Sequence, residues 1–116
     1  MAVKRIVANI ETPDLQKAQA FYGEILELDL LMDHGWLQTY GSDETMRVQV
    51  SVASQGGGDT PVPDLSIEVD DLDAVLVRCQ QAGVEIVYGP MDEPWGVRRF
   101  FVHDPFGKLL NILQHL

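Results

Sequence analysis

Two periodicities alternate along the chain, and the order in which they alternate occurs twice. From Lys4 to Glu11, Ile6, Ala8 and Ile10 fall on one side and Val7, Asn9 and Glu11 on the other, the period of a strand. Thr12 and Pro13 then suit a helix N-cap and first helical position, and Asp14 adds a favourable charge in the first turn. Leu15, Ala18, Phe21, Tyr22, Ile25 and Leu26 make one apolar helical stripe, which predicts a helix ending near Leu26–Leu28. Short strands are predicted around Asp29–Asp33, Trp36–Tyr40 and Arg47–Ala53. In the last, Val48, Val50 and Val52 oppose Arg47, Gln49 and Ser51.

After Gln55-Gly56-Gly57-Gly58-Asp59-Thr60-Pro61-Val62-Pro63, a stretch of linker composition, the pattern restarts. Asp64–Val69 reads as a strand and Asp70 as the cap of a second helix. Leu72, Val75, Leu76, Cys79 and Ala82 form its stripe, and Gly83 stops it. A strand near Glu85–Tyr88 follows, then two apolar runs, Val97–His103 and Lys108–His115, around Asp104-Pro105-Phe106-Gly107, which suits a tight turn. Ile10-Glu11-Thr12-Pro13-Asp14-Leu15 answers Ile67-Glu68-Val69-Asp70-Asp71-Leu72 at an offset of 57 residues. The pattern is therefore one α+β domain over residues 1–116, with module one at 1–54, a Gly/Pro linker at 55–63 and module two at 64–116. Neither half would bury a satisfactory core alone. Two such sheets curving toward each other enclose a cleft lined by the face that carries Val7, Asn9, Gln49 and Asn111. Asn111 is the polar residue of a strand apolar on both faces, and in that setting it needs a partner.

Composition narrows the function. The formal net charge of −10, spread along the chain, repels phosphate backbones and argues against nucleic acid. It suits a cationic ligand or simply a solvated acidic surface. No apolar run is long enough to span a membrane, and the N-terminus enters a strand without a leader peptide. A single cysteine fits the cytoplasm. Gly56-Gly57-Gly58 lacks the lysine and helix of a phosphate loop.

Taken in order and spacing, three groups of residues resemble the vicinal oxygen chelate superfamily, which includes glyoxalase I, bleomycin resistance proteins and extradiol dioxygenases. They are Thr12-Pro13-Asp14-Leu15 with Phe21-Tyr22, Glu68-Val69-Asp70-Asp71-Leu72, and Pro94-Trp95-Gly96 with Asp104-Pro105-Phe106-Gly107. The resemblance implies two tandem βαβββ modules forming a curved mixed sheet around a cleft, in a homodimer. It also implies metal ligands at positions that here hold Val7, Gln49 (or Ser51), Asp64 and Asn111. An aliphatic side chain, two neutral amides and one carboxylate make a poor cation site. The expectation is therefore no catalytic metal and no cofactor, with weak divalent-metal binding through Asp64 as the lesser alternative.

Several residues carry a functional and a structural alternative. Trp95 either stacks over a ligand or packs on the cleft rim. Trp36 and Tyr40 pose the same choice in module one. Arg98 and Arg99 point to opposite faces; the cleft-side one either binds a ligand carboxylate or pairs with Glu68 or Asp64. Phe101 joins Asn111, Gln49, Asn9, Trp95, Arg99 and Trp36 as a candidate ligand contact. His103 and Asp64 are the candidate acid and base, His103 otherwise supporting the turn. Cys79 reads as a small buried hydrophobe. Two functions follow: a cytoplasmic protein that holds a small organic molecule without turnover, of the sequestration or resistance type, or a metal-dependent lyase, isomerase or dioxygenase of the same superfamily.

Overall fold

A computed structural model describes residues 5, 7–46 and 49–116. A π-helical segment, Gln19–Ile25, leads to a hairpin of β1 (Asp29–Asp33) and β2 (Gln38–Gly41). Then come β3 (Leu65–Glu68), helix α1 (Leu72–Gln81), β4 (Ile86–Asp92), β5 (Val97–His103) and β6 (Leu109–His115). The second half forms one four-stranded mixed sheet in the order β3-β6-β5-β4, with β3 parallel to β6 and the other pairs antiparallel. The architecture is α+β. In the first half, β1 and β2 pair only with each other among the described residues. The strands expected at 4–11 and 47–53 have no ladder partners over their described residues, whereas Lys4, Ile6, Arg47 and Val48 lie outside the described residues.

Register fixes two faces. Phe101 lies opposite Asn111, Arg99 opposite Leu113, Ser66 beside Asn111 and Glu68 beside Leu113. Partners across a ladder share a face, so Ser66, Glu68, Arg99, Phe101, Asn111 and His115 look the same way. The other face carries Phe100, Val102, Leu110 and Ile112, all fully buried. These pack with Leu72, Val75 and Cys79 of α1 and with Phe21 and Ile25 of the first helix. Each such side chain contributes roughly 1.5–3 kcal/mol through burial, and together they hold the first helix to the second sheet.

The first helix begins later than the sequence suggests. The Thr12 hydroxyl accepts from the Asp14 N–H (3.0 Å), closing a local turn, and the helix cap is Ala18, with no side-chain bond. Its winding is π: Leu26 N–H donates to the Phe21 carbonyl, five residues back. The stripe survives this wider turn, with Ala18, Phe21 and Ile25 buried. The cap of α1 is Asp71, not Asp70, its carboxylate accepting from the Ala74 N–H. Gln114, from the face packed on α1, accepts from the Leu72 N–H at 2.8 Å and so secures the start of that helix. At its end Gly83 takes φ +75°, the left-handed exit expected there.

Candidate functional site

The face of the second sheet turned away from α1 carries the chemistry. At its centre Asn111 is buried (9 % exposed) beside the fully buried Phe101. Its amide nitrogen donates to the Ser66 hydroxyl at 3.1 Å, while Oδ1 is buried without a partner among the described residues. Whichever way the amide is turned, one end reaches Ser66 and the other is left over. A buried amide oxygen without a hydrogen bond is costly, and Arg99 Nε on the same face is likewise buried without a partner among the described residues.

One row away, Arg99 is 3 % exposed and enclosed by three rings, its guanidinium carbon 5.3 Å from the Tyr88 centroid, 5.0 Å from Trp95 and 4.8 Å from Phe101. The expected pairing with Glu68 or Asp64 does not form. Arg99 instead meets the buried Glu93 at 3.4 Å and donates to the carbonyls of Gly56 (2.7 Å) and Gly57 (3.2 Å). Glu68 bonds His115 at 2.7 Å, and the Asp64 carboxylate accepts from the Leu109 N–H. Glu93 also accepts from the Tyr88 hydroxyl at 2.6 Å, the main reason the Tyr88 phenol is pushed above its ordinary pKa. The stretch of linker composition is thus a fastened turn: Gly56 N–H bonds the Thr60 carbonyl, Thr60 is buried, and Arg99 holds both glycine carbonyls. Gly57 is required there, with φ +86° and a site where a Cβ would lie 2.8 Å from Trp95.

The remaining candidates are dispersed. Asn9 and Asp64 share a shallow depression with Ala8, Ile10, Leu65 and Lys108. Asn9 is exposed, and its side chain turns back to the Val7 carbonyl. Trp36 is 78 % exposed and stacks on His34 at the β1–β2 turn. Gln49 and His103 are exposed. Glu93 and Tyr88 were missed by sequence reasoning: an acid before Pro-Trp-Gly carries no periodic signal, and its partner stands six residues on. Cys79 is buried, which pushes its thiol pKa up.

The donor chemistry does not suit the metal site that the sequence resemblance implies. Val7 offers no lone pair, Asp64 is engaged with Leu109 N–H, and the Asn111 amide is neutral. Among the described residues no three His, Cys, Asp or Glu side chains gather to hold an ion.

A sequence model of the Glyoxalase/Bleomycin resistance protein/Dioxygenase superfamily matches residues 4–112. The chain belongs to that superfamily. Solved structures of the glyoxalase/bleomycin resistance kind share its fold. TnmS3, an antibiotic binding protein from Streptomyces sp. CB03234, is 26% identical at a TM-score of 0.73, covering 100% of this chain and 99% of that one. A glyoxalase/bleomycin resistance protein from the same Streptomyces is 27% identical at a TM-score of 0.59, covering 89% and 93%. TioX from Micromonospora sp. ML1, 22% identical at a TM-score of 0.65 over 97% of each chain, shows the fold alone. No curated protein matches. Among the described residues of this superfamily member no helix is long and apolar enough to cross a membrane.

Proposed function

We propose that this protein binds a small organic molecule of the antibiotic kind on the Asn111 face of its second sheet and releases it chemically unchanged, without a catalytic metal. The observation that carries this is the buried Asn111 amide, left with an unmade hydrogen bond on a face that also carries Phe101 and the ring-enclosed Arg99. End-to-end similarity to an antibiotic binding protein supports it. Trp95 supplies exposed area there and Asn111 orientation, with the buried Phe101 packed beside it. Arg99 acts from behind Trp95. Two copies pairing would supply the cover that Leu30, Leu31 and Met32 lack within one chain.

The test is a thermal-shift titration with bleomycin as first probe, in the presence and absence of a chelator, followed by a panel of other antibiotics. Stabilisation that the chelator leaves unchanged is expected, with the compound recovered intact. Asn111→Leu should weaken binding about ten-fold while leaving the unliganded melting temperature unchanged or raised, because a buried orphan acceptor is removed. Turnover that depends on an added divalent metal would favour the lyase, isomerase or dioxygenase reading.

A further inference from the structure

Ser66 stands beside Asn111 in the β3–β6 ladder and is the exposed member of the pair. Its hydroxyl oxygen accepts from the Asn111 amide nitrogen at 3.1 Å. The sense of that bond follows from what each orientation of the amide leaves over. As it stands, the pair strands one buried acceptor, Asn111 Oδ1. With the amide reversed, the nitrogen and both its N–H donors would be stranded instead, and two stranded donors cost more than one stranded acceptor. Asn111 therefore donates, and the Ser66 proton is turned away from it. Among the described residues that hydroxyl has no acceptor, and being exposed it can offer its proton to a bound molecule. The acceptor it suits is neutral. Glu68, two residues on and facing the same way, has an exposed carboxylate, and the chain carries a formal net charge of −10, so an anionic oxygen would be repelled. We infer that Ser66 is a specificity-determining hydrogen-bond donor to an uncharged carbonyl oxygen of the bound molecule, and that Asn111 serves it as a positioning residue.

This rests on the reading that the face binds small molecules, and the two are separable. An NMR shift titration would compare 1-tetralone with 1-methylenetetralin, whose C=CH2 group has the same shape but accepts no such bond, and with the anion tetralin-1-carboxylate. The expected result is about five-fold tighter binding of the ketone than of the alkene, with the carboxylate weakest. Ser66→Ala should abolish the ketone's advantage, and Ser66→Thr, which keeps the hydroxyl, should retain it. Asn111→Asp, measured at about pH 9, should abolish it too, because a carboxylate takes the Ser66 proton for itself. The ratio of the two affinities reads the donor apart from any loss of packing, and melting temperatures show that the variants fold. A ketone bound no tighter than the alkene, a carboxylate bound tighter than either, or an advantage that outlives Ser66→Ala would overturn the donor. An advantage that outlives Asn111→Asp would overturn the positioning role. If Asn111→Leu still loses bleomycin in either event, the binding face survives without it. Failure of both 1-tetralone and bleomycin to bind would overturn both readings.

Discussion

Two adjacent arginines meet opposite sides of β5, and the difference should be measurable. Arg98 is half-buried and pairs with Asp92 (3.1 Å) and Asp73 (3.5 Å), both exposed. Such pairs are worth less than about 1 kcal/mol. Arg99 and Glu93 are each 4 % exposed at the side chain, and losing one partner strands a buried charge, at a cost on the order of 3–5 kcal/mol. Chemical denaturation should therefore separate Arg98→Met from Arg99→Met by several kcal/mol; equal losses would show that the Arg99 cluster carries no structural load. Tyr22 sets the alkaline limit. Its hydroxyl donates to the buried Asp104 at 2.6 Å, and burial, then that carboxylate, hold its pKa far above the ordinary 10.0. Above about pH 10 the unfolded chain loses this proton and the folded one keeps it, so stability falls as pH rises. Tyr22→Phe should be less stable at neutral pH, by about 1–3 kcal/mol, and should lose stability less steeply between pH 10 and 11.

At the scale of elements, the helices rest on different supports. α1 has the Asp71 cap, the Gln114 bond at its start and a glycine exit. Asp71→Ala should cost about 1 kcal/mol and Asp70→Ala almost nothing, as read by thermal denaturation; the reverse order would restore Asp70 as the cap. This half was legible in the sequence because each element has one clean period: Val75 and Cys79 at helical spacing, Phe100 and Val102 alternating, and a turn that Asp104 closes by accepting from the Phe106 and Lys108 N–H groups. Legibility failed where position depends on distant partners. The π winding of Gln19–Ile25 leaves the apolar stripe intact, so periodicity could not reveal it. Gly56–Thr60 has the composition of a free linker, and it is fastened to the rest of the chain by the side chain of Arg99, more than forty residues on. Asn111, an amide between apolar neighbours in β6, was singled out from the sequence as a candidate. The buried pairing of Glu93 with Arg99 and Tyr88 was not foreseen.

For the whole molecule, apolar exposure among the described residues is spread over both halves, Val52 (95 %) and Leu116 (74 %) included, and the first hairpin carries a continuous run of it. All five residues of β1 are exposed, Leu30 at 45 %, Leu31 at 60 % and Met32 at 46 %. A strand open on both faces is suited to cover by another chain, and the proposed homodimer supplies one. Leu31→Glu should then convert a dimer to a monomer in light scattering at micromolar concentration; a wild-type chain that is already monomeric would refute the pairing. The order of assembly is also written into the second sheet. β5 and β6 are joined by one short turn and pair at seven positions, whereas β3 must find β6 across some forty residues of intervening chain. Closing the shorter loop is the smaller entropic cost, so the hairpin should act as the nucleus and β3 as the latecomer. Disturbing the turn at Gly107 would then slow refolding, while loosening Ser66 would chiefly hasten unfolding.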